Sequence, residues 1–161
     1  MTTVKLKGVE DDNFVNYRYP VMFLATTSCT FKCDKECGKN YCINSSLVNQ
    51  PNIEVGTDYL IKRYIDNPIT KAIVIGGLEP FDTFHDLLNI VHDFREAGVH
   101  DDIVIYTGYY LEEIEDKIRQ LMDYDNIIVK YGRYKYDEPE RYDEVLGVKL
   151  ASNNQYAEKI S

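Results

Sequence analysis

What this sequence has little of narrows its function before any motif is read. Basic residues are scarce: 18 Lys and Arg stand against 27 Asp and Glu, leaving a net charge of −9 over 161 residues. Nucleic-acid binders draw their affinity from a cationic footprint that releases counterions, so phosphate-backbone binding is not the main task here. Long apolar runs are missing as well. None approaches the roughly 18–20 residues that cross a bilayer, and the polar stretch Met1 to Asp12 holds no apolar signal core. The expectation is a cytoplasmic protein with neither nucleic acid nor membrane as a partner. Cysteine is absent outside residues 29–42. That excludes a disulfide framework, whose staples spread along a small secreted chain. The three histidines, His85, His92 and His100, have no carboxylate pair at ligand spacing, and no Ser-His-Asp or Cys-His arrangement is legible.

What is present fits one domain over residues 1–161. With 44% hydrophobic and 28% charged residues, the chain can bury a core and remain soluble. From residue 21 onward, short β-like apolar runs alternate with helix-period segments, the pattern of a parallel sheet with crossover helices. Strands are expected at Val21 to Thr26 (VMFLAT), Ala72 to Ile75 (AIVI), Ile103 to Tyr106 (IVIY) and Ile127 to Val129, with a further strand-like stretch at Val145 to Leu150. Helices are expected over Asp58 to Ile65, with Thr57 as N-cap and Pro68 beyond the end, over Thr83 to Glu96, with Gly98 at the C-terminal left-handed position, and over Leu111 to Met122. The fold class is therefore α/β. A closed eight-fold βα barrel takes about 250 residues, so the expected form is an open partial (β/α) barrel or an open parallel sheet. In either form, functional loops lie at the carboxyl ends of the strands. Three loops follow expected strands directly: residues 27–52, which hold every cysteine, Gly76 to Pro80, and Thr107 to Tyr110.

The cysteine order is Cys29-x3-Cys33-x3-Cys37-x4-Cys42. A closed zinc site would use all four thiolates, but zinc ribbons favour close pairs with a long gap between them, and no distant second pair exists. An iron–sulfur cluster held by three thiolates instead leaves one iron with an open position, where chemistry can occur. Cys29 and Cys33 open the set. Cys42 closes it behind an aromatic, Tyr41, and ahead of Ile43-Asn44, while Cys37 is the competing third ligand or a loop thiol without a role.

These residues resemble the radical S-adenosylmethionine superfamily, whose signature is Cys-x3-Cys-x-aromatic-Cys. Within it the chain is similar to the small activating proteins of glycyl-radical enzymes, above all the anaerobic ribonucleotide reductase activating proteins, in which the motif ends Cys-x-Asn as Cys42-Ile43-Asn44 does. Eight residues, DKECGKNY, separate Cys33 from Cys42, where the family usually has two. Gly76-Gly77-Leu78-Glu79-Pro80 resembles the family's Gly-Gly-Glu/Asp-Pro motif, with Leu78 in place of the second glycine when aligned without a gap. Tyr106-Thr107-Gly108-Tyr109 resembles its Trp/Tyr-Thr-Gly-Tyr segment. Lys130-Tyr131-Gly132 resembles a strand end leading to Asp-Gly, with Tyr131 where Asp is usual, and Ser152-Asn153-Asn154-Gln155 resembles Ser-x-Asn-Gln.

The resemblance implies a [4Fe-4S] cluster on Cys29, Cys33 and Cys42. It implies S-adenosylmethionine held by Tyr41, Ile43, Asn44, Gly76, Gly77, Glu79, Thr107 and Gly108. The implied chemistry is reductive cleavage of the sulfonium and removal of a hydrogen atom from a glycine of a partner enzyme. That partner would be the large subunit of anaerobic ribonucleotide reductase, and the electron would come from a flavodoxin or ferredoxin. The readings of a different kind are an electron-transfer iron–sulfur protein, a structural zinc protein, or radical chemistry on another target.

Overall fold

The computed structural model describes residues 2–27 and 50–161. Strands β1 (Thr3–Leu6), β2 (Gly8–Asn13), β3 (Val21–Thr26) and β4 (Ile53–Gly56) precede helix α1 (Thr57–Ile65). Strand β5 (Ala72–Gly77), a 3-10 turn (Pro80–Thr83) and α2 (Phe84–Glu96) follow, then β6 (Asp102–Tyr106), a second 3-10 turn (Leu111–Glu113) and α3 (Glu115–Leu121). The chain ends in β7 (Ile127–Tyr131), β8 (Arg141–Asp143), β9 (Val148–Leu150) and β10 (Tyr156–Lys159).

Six strands form one sheet in the order β10-β7-β6-β5-β3-β2. Its centre, β3-β5-β6-β7, is parallel, and β2 and β10 run antiparallel at the two edges. The central strands are apolar on consecutive residues because both of their faces are covered, as parallel sheets require. Met22, Leu24, Ile73, Ile75, Ile103, Ile105, Ile127 and Val129 pack on one face against Leu60 and Tyr64 of α1, Leu87, Val91 and Phe94 of α2 and Leu121 of α3. Each such buried side chain contributes about 1.5–3 kcal/mol relative to exposure. The opposite face, with Val21, Ala72, Val74, Val104, Ile128 and Ala157, is covered by Tyr17, Leu146 and Leu150. The segment between β2 and β3 and the C-terminal β8-β9 hairpin supply that cover. Arg18 pins the two together by donating to the carbonyls of Glu144 and Val145.

Two local expectations are corrected by the structure. Gly56, not Thr57, occupies the N-cap position of α1. Thr57 is fully buried, and its hydroxyl lies 2.5 Å from Asp93 Oδ2, so it ties α1 to α2 instead of capping its own helix. The helix expected over Leu111 to Met122 is interrupted at Ile114 (φ −134°, ψ 24°). The Glu113 carboxylate accepts both the Tyr110 amide (2.9 Å) and Arg133 Nη1 (2.6 Å), which fixes the first turn as a separate 3-10 element. Gly98 follows α2 with φ +86°, in keeping with the expected left-handed position.

Candidate functional site at the carboxyl edge of the parallel strands

The parallel register brings the ends of β3, β5 and β6 side by side, since Thr26 pairs with Gly77 and Ile75 with Ile105. Loops separated by dozens of residues therefore meet at one edge. Gly77 is required there by its backbone. Its φ is +82°, and a Cβ at this position would lie 2.9 Å from Ala25 Cβ and 3.0 Å from Ala25 Cα, a closeness that excludes any side chain. The carbonyl of Gly76 accepts the buried Thr26 hydroxyl at 2.9 Å, a second tie between β3 and β5.

Glu79 lies 5% exposed just past the end of β5. Its Oε2 accepts the Phe81 amide at 3.0 Å and the Thr107 hydroxyl at 2.8 Å, and its Oε1 accepts the Gly108 amide at 2.8 Å. Desolvation holds the carboxyl above its ordinary value, while the three donors pull it back down. Thr107 Oγ1 also accepts the Tyr109 amide at 3.0 Å. The carboxylate thus joins the loop after β5 to the loop after β6.

A third segment closes the edge from the C-terminal side. Gln155 accepts the Ser152 amide (3.1 Å) and donates to the Gly132 carbonyl (3.2 Å), while Asn154 donates to Arg133 O (2.7 Å) and to the Tyr110 hydroxyl (2.8 Å). Gly132, at φ +107°, has Gln155 Cα 3.2 Å from where a Cβ would stand. The turn over Ser152 to Gln155 therefore seats directly on the end of β7.

Between these loops lies a cavity of about 280 Å³, near the lower end of the size range of small-molecule sites. Of the expected site residues, Gly77, Glu79, Thr107 and Gly108 line it together. Gly76 lies one residue back in β5. Cys29, Cys33, Cys37, Cys42, Tyr41, Ile43 and Asn44 lie outside the described residues. Further lining comes from Asn16, Phe23, Tyr106, Lys130, Lys149 and Gln155, none of them among the residues expected to bind. Lys130 carried a legible signal, a lone cation inside the apolar run Ile127 to Tyr131. Lys149 and Asn16 carried none, since only folding brings β9 and the β2–β3 connection to this edge.

Among the described residues no group of three or more His, Cys, Asp or Glu could hold a metal. All thiolate donors therefore belong to the segment that leaves the end of β3, with Cys29 three positions beyond Thr26. The profile of the 4Fe-4S single cluster domain matches residues 19–156, most of the chain. The chain belongs to this 4Fe-4S single cluster domain family. The cysteine set suits that cluster chemically, because iron–sulfur clusters are held by thiolates. No curated protein matches the sequence. No helix among the described residues is long and apolar enough to cross a membrane.

Proposed function

We propose that this iron–sulfur domain is a radical S-adenosylmethionine activase. It would install a glycyl radical on a partner enzyme, by resemblance the large subunit of anaerobic ribonucleotide reductase, with a flavodoxin- or ferredoxin-type reductant as electron source. The observation that carries the reading is the convergence of Gly77, Glu79, Thr107 and Gly108 on one cavity, at the strand edge from which the cysteine segment departs. Parallel strands that neighbour one another in chain order, β3-β5-β6-β7, also support the partial (β/α) barrel that belongs to this reading.

In it, Cys29, Cys33 and Cys42 would hold the cluster, and the cavity would take part of the S-adenosylmethionine molecule. When bound, the two cofactors supply the one-electron sulfonium cleavage and the removal of a hydrogen atom from glycine. The chain's own residues supply position. Glu79 fixes the Thr107–Gly108 loop against the Pro80 turn. The aromatic walls Phe23 and Tyr106 limit water access, which protects a reactive carbon centre from side reactions. In the activase reading the substrate is a glycine of a partner protein, brought to this edge by a loop of that partner.

Anaerobic reconstitution with iron and sulfide, followed by reduction in the presence of S-adenosylmethionine, tests the reading. Release of 5′-deoxyadenosine, and a glycyl doublet in electron paramagnetic resonance that needs both this protein and the partner, is the expected result. A reduced cluster that transfers its electron but never cleaves S-adenosylmethionine would instead establish the electron-transfer reading.

A further inference from the structure

The Thr107–Gly108 wall of the cavity is gripped from two sides. Glu79 holds it through the Gly108 amide and the Thr107 hydroxyl. From behind, Arg133 Nη1 donates to the Gly108 carbonyl at 3.4 Å and to Glu113 Oε1 at 2.6 Å, and the Gly132 amide donates to Tyr109 O at 3.1 Å. Successive peptides of one loop are therefore anchored by a carboxylate on the amide side of Gly108 and by a guanidinium on its carbonyl side. Gly108 and Gly132 line the cavity, whereas Arg133 stands outside its described lining.

Arg133 is 8% exposed. A buried guanidinium is costly unless it is paired and hydrogen-bonded, and here Glu113 supplies the opposite charge. The ring of Tyr110 supplies a flat seat, with the guanidinium carbon 4.7 Å from its centre. Asn154 fixes that seat in turn, since its Nδ2 donates to the Tyr110 hydroxyl at 2.8 Å and to Arg133 O at 2.7 Å. Side chain and main chain of Arg133 are thus tied to the same loop. Polar networks satisfied in this way rigidify their surroundings, and this one adjoins a wall of the candidate site.

We propose that Arg133 is a positioning residue for ligand binding: it acts through the Gly108 carbonyl and holds the Thr107–Gly108 wall in the orientation that a ligand meets. The inference rests on the activase reading for the identity of that ligand, S-adenosylmethionine. Arg133→Met removes the cation and its donors while keeping much of the apolar stem. Arg133→Lys keeps a charged nitrogen that can serve both Gly108 O and Glu113, and loses the planar stack on Tyr110. Arg95→Met is the control. Arg95 is similarly buried, at 9% exposed, but donates to the carbonyls of Val99 and Asp125 ahead of β6 and β7, at the opposite edge of the sheet.

Calorimetric titration of the reconstituted holoproteins with S-adenosylmethionine, together with hydrogen exchange of the peptide over residues 107–111, tests the role. The expected result is binding weakened about tenfold in Arg133→Met, the loss of one charge-assisted contact, with faster exchange at 107–111. Arg133→Lys should stay close to wild type in both measurements, and Arg95→Met should be destabilised without losing affinity. Wild-type affinity in Arg133→Met, or an equal loss in Arg95→Met, overturns the proposal. Where circular dichroism shows that Arg133→Met does not fold, Glu113→Gln takes its place: weakened binding supports the role and wild-type binding overturns it. If S-adenosylmethionine does not bind the wild-type holoprotein, the activase reading fails, while exchange still decides whether Arg133 positions this wall. Acceleration confined to 107–111 supports that, and no acceleration, or an even rise along the chain, overturns it.

Discussion

Glu79 Oε1 accepts the backbone amide of Gly108 at 2.8 Å, so a single buried carboxylate spans two loops that are 29 residues apart in sequence. Thr107 completes the tie from its side chain. Thr107→Val removes a donor to Glu79 and an acceptor for Tyr109 N–H while keeping the shape. It is expected to destabilise the protein by about 1–3 kcal/mol, the cost of leaving buried polar groups unpaired. Urea unfolding of the two proteins measures it, and an unchanged midpoint would contradict the stapling role.

The same carboxylate gives a pH dependence with a definite sign. Burial raises the folded-state value of Glu79 above 4.5, so over the window above 4.5 the folded state binds more protons than the unfolded state. Stability linked to this group is therefore present below the unfolded value and is lost as pH rises through the folded one. The difference in unfolding free energy between wild type and Glu79→Gln should narrow as pH rises from about 4.5. Denaturant midpoints at several pH values check this; a difference that widens with pH reverses the assignment.

Gly77→Ala should be costly to the fold itself, apart from any effect on the cavity it lines. The left-handed backbone disfavours a Cβ by about 1–2 kcal/mol, and contact with Ala25 adds overpacking of about 1–3 kcal/mol. A loss of roughly 2–5 kcal/mol in chemical denaturation is the expected outcome. Gly8, whose Cβ would meet nothing within 4 Å, serves as the control, with Gly8→Ala near neutral.

The ligand set is tested by iron content. Cys29→Ala, Cys33→Ala and Cys42→Ala should each lose the cluster's visible absorption after anaerobic reconstitution, and Cys37→Ala should retain it. A silent Cys42→Ala together with a cluster-free Cys37→Ala would move the third ligand into the insertion.

Much of the fold is written locally. VMFLAT, AIVI, IVIY and Ile127 to Val129 are apolar on both alternating faces, so each is a strand buried on both sides wherever it lies in the sheet. The structure keeps all four, extending β5 and β7 to Gly77 and Tyr131. Strands β1, β2 and β4 were not legible. Thr3–Leu6 is short and alternates exposed with buried residues, Gly8–Asn13 is acidic, and Ile53–Gly56 is largely exposed. Their pairing depends on partners far along the chain, as Val4 with Val55 and Val9 with Leu24 show.

The division at the site follows the same physics. Clustered cysteines, strand-end glycines and Thr107-Gly108 are local patterns, and a sequence fixes local patterns by itself. Only tertiary structure decided that Gly77 answers to Ala25 across a strand pair, and that Glu79 is bound by the next loop's donors. Only it placed Lys130 and Lys149, from β7 and β9, at one cavity. Those relationships arise from register and from the folding of the β8-β9 hairpin over the sheet. Each joins residues whose separation along the chain leaves no periodicity to read.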